Sequence, residues 1–101
     1  MSEKIEETLN RINTHKGVIG IIIVNSKGIA IRSTMSQTDT VDYGSLITQF
    51  ITKAELTIKA LHQDEDISFI RIRSRKNEII IAPQRDFSLI VIQNPLNDDS
   101  S

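Results

Sequence analysis

Three stretches of this chain are nearly continuous runs of branched apolar residues: VIGIIIVN (Val18–Asn25), EIIIAP (Glu78–Pro83) and FSLIVIQ (Phe87–Gln93). Side chains on a strand alternate between its two faces, so a strand covered on one face reads as an alternation. A strand apolar at every position has to be covered on both faces. Isoleucine and valine are stiff at χ1 and suit a pleated surface better than a helix. The chain is therefore expected to build a sheet whose centre is these three strands, with other elements packed above and below. The longest uninterrupted apolar run, Ile21–Val24, is far short of the ~20 residues that span a bilayer, so no membrane insertion is expected.

The remaining segments supply the other layers. Ile5, Leu9 and Ile12 recur at helical spacing. Ser2 is placed as N-cap; Glu3, Glu6 and Glu7 sit at the start, and Arg11, His15 and Lys16 at the end, the order a helix dipole favours. NSKG (Asn25–Gly28) is a turn, and IAIRST (Ile29–Thr34) returns as a hairpin partner. After the loop MSQTDT, with Asp39 or Thr40 as cap, a long helix is expected over about Val41–Leu61. Its core stripe is Tyr43, Leu46, Ile47, Phe50, Ile51, Ala54, Ile58 and Leu61. An acidic loop, HQDEDI, leads to the hairpin SFIRIRSRKNEIIIAP (Ser68–Pro83), and PQRD turns into the last strand. The order is helix-strand-strand-helix-strand-strand-strand: an α+β fold with a five-stranded, mainly antiparallel sheet flanked by helices. Strands 2 and 3 carry the charges and belong towards the edges. The 101 residues are enough for one domain, read as 1–95, followed by a frayed acidic tail at 96–101.

No catalytic chemistry is visible. Ser26-Lys27 beside Gly28 lacks the order and the following helix of a phosphate loop. His15 and His62 end helices and have no partner acid at a telling spacing. Asp64, Glu65 and Asp66 lack the spaced ligands of a calcium loop. With no cysteine there is neither a disulfide framework nor a thiolate metal site. The expectation is a non-enzyme with no catalytic, cofactor-binding or metal residues. Arg71, Arg73, Arg75 and Lys76 form a basic run, but the net charge of -1 and the scarcity of aromatics argue against nucleic acid. The charged N-terminus MSEKIEETLNR is no signal peptide, and a soluble cytoplasmic protein is expected.

Two features point to a protein surface instead. Between Asp42 and Lys53 the long helix carries no charge, and its far face presents Ser45, Thr48, Gln49, Thr52 and Leu56. A solvated helix normally shows Lys and Glu there, so this face is expected to meet a second subunit. On the third strand, Ile67, Phe69, Arg71 and Arg73 share one face and Ile70 and Ile72 the other. Such a strand at a sheet edge would pair with its own copy, provided that carboxylates answer the arginines. Glu55, Glu78 and Asp64–Asp66 are the candidates. The dimer interface is thus expected at Ser45, Thr48, Gln49, Thr52, Leu56, Phe69, Arg71 and Arg73.

KGVIGIIIVNSKGIAIRSTM, FIRIRSRKNEIIIAP and FSLIVIQNP, in this order over about Ile5–Pro95, resemble the roadblock family of dynein light chains. The RIRSRKNEI turn and the closing VIQNP are the specific parts. The resemblance implies a non-catalytic light chain of the dynein motor complex without a cofactor. It implies a homodimer, or a heterodimer with a paralogue, that binds the dynein intermediate chain and supports microtubule-based transport. A cytoplasmic, cytoskeleton-associated location, or an axonemal or ciliary one, goes with that role. Related roadblock-type modules scaffold small GTPases, which gives the alternative role.

Overall fold

The computed structural model describes residues 3–95, with side chains from Glu6 onward. Ser2 and its capping role, the Ile5 side chain and the acidic tail lie outside them. Helix α1 (Glu3–Asn13) is followed by β1 (Val18–Asn25), β2 (Ala30–Ser33), α2 (Gln37–Leu61), β3 (Ile70–Arg73), β4 (Glu78–Pro83) and β5 (Phe87–Gln93). The strands form one sheet in the order β2-β1-β5-β4-β3, and every neighbouring pair is antiparallel. The three apolar strands are central and the two charged ones are the edges, as the alternation rule requires.

The two faces of β1 serve two cores. Ile22 and Val24 join Ile47 and Ile51 of α2, with Ile81, Ile90 and Ile92 from β4 and β5. Ile21 and Ile23 join Leu9 of α1, flanked by Ile12, Val18, Ile31, Phe87 and Leu89. Ile21, Ile22, Ile81 and Ile90 are fully buried, and each side chain so buried contributes about 1.5–3 kcal/mol. The layers are α1, sheet and α2. They are unequal: the α1 core extends from β2 through β1 to β5 and no further. Ile80 of β4 lies on the same face, paired with Val91 on one side and Arg71 on the other, and belongs to neither core.

α2 starts four residues before the expected Val41. Neither Asp39 nor Thr40 caps it; the N-cap is Ser36, whose hydroxyl accepts from the Asp39 N–H at 3.1 Å. The carboxylate of Asp39 then sits in the first turn, where the dipole favours it. Leu46, Phe50 and Leu61, assigned to the core by helical spacing, are exposed. Only Ile47, Ile51 and Gly44 are buried, because the sheet meets a narrow strip of the helix. β2 and β3 are also shorter at their outer ends than expected.

Gly44 sets how closely α2 approaches. A Cβ there would lie 2.7 Å from the carbonyl oxygen of Gly28, itself at φ +84 in the β1–β2 turn. That backbone contact cannot yield as a side-chain tip would. Gly44→Ala should therefore destabilise the fold by about 1–2 kcal/mol, an overpacking cost of about 1–3 kcal/mol less the helix-propensity gain of up to ~1 kcal/mol. The check is urea denaturation beside Ser45→Ala, an exposed neighbour expected to stay within about 0.5 kcal/mol of the parent.

Candidate partner-binding surfaces

β3 occupies the sheet edge beyond β4, so among the described residues no strand lies beside one row of its backbone N–H and C=O groups. The face of β3 that turns towards the α1 side carries the charges. Arg71 is opposite Ile80, and Arg73 opposite Glu78; Glu78 in turn is opposite Gln93. These side chains form one row across three strands.

Glu78 is the only buried charged residue among the described ones, at 1% exposed. Its Oε1 accepts from Gln93 Nε2 at 2.8 Å. Its Oε2 lies 3.3 Å from Arg71 Nε and 3.6 Å from Arg73 Nε. Those are charge contacts without hydrogen-bond alignment. Both arginines are about half exposed, so each pair is screened. The carboxylate that answers the arginines is thus Glu78, within one chain. Glu55 has no ion pair among the described residues, and Asp66 pairs with Lys59 at 2.9 Å.

The other face of this edge is apolar. Phe50, Ala54 and Ile58 of α2 face Ile67, Phe69 and Ile70 across an open groove of about 370 Å³. Phe69 is 61% exposed and Phe50 44%. Leu46 and Leu56, at 64% and 63%, extend the exposed apolar surface along α2. One chain leaves this surface unfilled: beyond Ile51 no residue of α2 is fully buried.

Most of the residues expected to meet a partner lie here. Ser45, Gln49, Thr52, Leu56, Phe69, Arg71 and Arg73 are all exposed, on α2 or at the β3 edge. Thr48 does not belong with them. It is half-buried and packs against Gly28, whose Cβ would meet its hydroxyl at 3.0 Å. Its helical angle places it on the flank of α2 rather than the far face. Phe50 and Leu46 were missed as surface residues because helical spacing groups them with the core stripe. Ile80 was missed because a run of isoleucines does not say which one is left uncovered.

Among the described residues no group of acidic and histidine side chains could hold a metal ion, and no helix is long and apolar enough to cross a membrane.

The family model for the Roadblock/LC7 domain matches residues 4–94. Among solved structures, a Roadblock/LC7 domain from Streptomyces avermitilis superposes with a TM-score of 0.78 at 6% identity, over 84% of this chain and 72% of that one. MglB from Myxococcus xanthus gives 0.75 at 18% identity, over 91% and 76%. The gliding protein MglB from Thermus thermophilus gives 0.77 at 10% identity, over 91% and 72%. Likeness at these identities is a shared fold: two helices around a five-stranded antiparallel sheet.

Proposed function

The chain belongs to the Roadblock/LC7 domain family, and on that premise we propose that it is a non-catalytic, dimer-forming scaffold that holds a segment of another protein. The observation that carries this reading is the uneven cover of the sheet. α1 packs over β2, β1 and β5, so among the described residues no helix lies above the α1-side face of β4 and β3, with Ile80 half-buried at its centre. An amphipathic helix is the element that fills the space beside α1, and a folded partner helix would bury Ile80.

Two partner classes fit. Scaffolding of a small GTPase is supported by the structural comparisons: the three structures named above are bacterial roadblock proteins, two of them MglB. Binding of a dynein intermediate-chain segment rests on sequence alone, through RIRSRKNEI and VIQNP. The microtubule-associated location goes only with that second class.

Purified proteins separate the two. The dimer is titrated calorimetrically with an intermediate-chain fragment, and separately with a small GTPase in its GDP and GTP-analogue states. Binding with a negative heat-capacity change is expected for the true partner, because apolar surface is buried. Ile80→Glu should then weaken that binding by more than about 30-fold, a loss of ~2 kcal/mol as for a central contact, while the dimer persists. Binding of neither partner overturns the scaffold reading.

A further inference from the structure

Cations border the open face beside α1 on both sides, and one acid stands among them. On β3, Arg71 is opposite Ile80 and Arg73 opposite Glu78. The two arginines share the Glu78 carboxylate through contacts of 3.3 and 3.6 Å, neither of them a hydrogen bond. On α1, Leu9 and Ile12 point to the sheet, and Glu6 meets Arg32 of β2 at 2.8 Å. That contact turns the Glu6 flank of the helix towards β2. Arg11 lies about 140° further round at about 100° per residue, on the flank away from β2. It is exposed and makes no ion pair among the described residues.

The spacing fits a helix. α1 packs on β1, and β4 is two places further along the sheet, about 10 Å away. Helices pack about 8–10 Å apart, so a helix laid against α1 lies over β4, with Ile80 beneath it. Arg71 and Arg73 are alternate residues of one strand, about 7 Å apart. Carboxylates at i and i+4 of a helix are about 6 Å apart along its axis. A helix running along β4 therefore sets one such pair against the two arginines while its apolar stripe covers Ile80. The charges fit as well: Arg71, Arg73 and Arg11 exceed Glu78 by two, the number that the pair supplies.

We propose that the segment held on this face is an acidic amphipathic helix, selected by carboxylates at i and i+4 that pair with Arg71 and Arg73. This rests on the scaffold reading and deepens it: Ile80 takes an apolar stripe, and the arginines decide which apolar stripe is accepted. A guanidinium holds a carboxylate best through two parallel N–H donors. That geometry is open to both arginines, because Glu78 holds each by charge alone.

Two labelled peptides of about 18 residues, about five helical turns, test the selection. They share one leucine stripe and differ on one flank, with Glu at i and i+4 in the first and Gln in the second. Methyl spectra report seating on Ile80. Titrations give affinities at about 0.1 M and about 1 M salt, where the Debye length falls from about 10 Å to about 3 Å. At low salt the Glu peptide should bind about tenfold tighter, as two half-exposed ion pairs allow, and at high salt the preference should shrink to about twofold or less. The triple variant Arg71→Gln/Arg73→Gln/Glu78→Gln removes the buried charge together with its partners, so no charge is orphaned. It should keep the far-UV circular dichroism of the parent and bind both peptides equally, whereas Ile80→Glu should weaken both. Equal binding of the two peptides by the parent, or a preference that survives in the triple variant, overturns the acidic selection and leaves the helix site standing. If neither peptide shifts the Ile80 methyl resonance, the selection and the helix site fall together.

Discussion

Phe69→Glu is expected to convert the proposed dimer into a folded monomer. Phe69 is 61% exposed in the single chain, so its replacement removes nothing from either core. It lines the apolar groove with Phe50, Ala54, Ile58, Ile67 and Ile70, at the edge where a second copy would join. A two-fold interface uses the same patch twice. Each buried phenyl contributes about 1.5–3 kcal/mol, and the substitution also places two carboxylates in a desolvated seam. A combined loss above about 3 kcal/mol raises the dissociation constant by more than ~100-fold. Sedimentation should show the change while far-UV circular dichroism stays that of the parent. Thr52→Glu, on the outer helix face, should weaken the dimer by less. A parent chain that sediments as a monomer at micromolar concentration removes the dimer from the proposed function.

The double variant Arg71→Met/Arg73→Met should lose more stability than Glu78→Gln. The reason is the asymmetry between removing a buried charge and orphaning it. Methionine keeps an unbranched aliphatic side chain but takes away both cations, leaving a carboxylate at 1% exposure with Gln93 as its one partner. Breaking a buried pair from one side costs about 3–5 kcal/mol. The half-exposed arginines lower that to about 2–3 kcal/mol, since water reaches the site. Glu78→Gln removes the charge itself and lets the two arginines return to solvent, for a loss of about 1 kcal/mol. Denaturant midpoints at constant slope are the measurement. Equal losses for the two would mean that Glu78 is held by packing and not by its charge partners.

The sequence was legible where one physical rule acted alone. β1 and β5 begin and end where their apolar runs do, because a strand covered on both faces admits no charge. The order of elements followed, and so did the edge positions of β2 and β3. It was less legible where two rules competed. Ser36 and Asp39 both favour a helix start, and in the structure Ser36 is the cap while Asp39 sits in the first turn. Along α2, spacing groups Leu46 and Phe50 with Ile47 and Ile51, yet the sheet buries the second pair and leaves the first exposed.

The candidate surface divides the same way. Arg71, Arg73 and Phe69 were marked by their types: charges and an aromatic at an edge strand are legible without coordinates. That Glu78 buries itself between the arginines, that Thr48 turns towards Gly28, and that Ile80 is the uncovered isoleucine were decided by registry and by the length of α1. One-dimensional periodicity determined which residues belong to a covered strand, because side-chain alternation is a local property of the backbone. Tertiary structure decided which apolar residues remain uncovered, because a helix can bury only the strands its length and crossing direction let it reach.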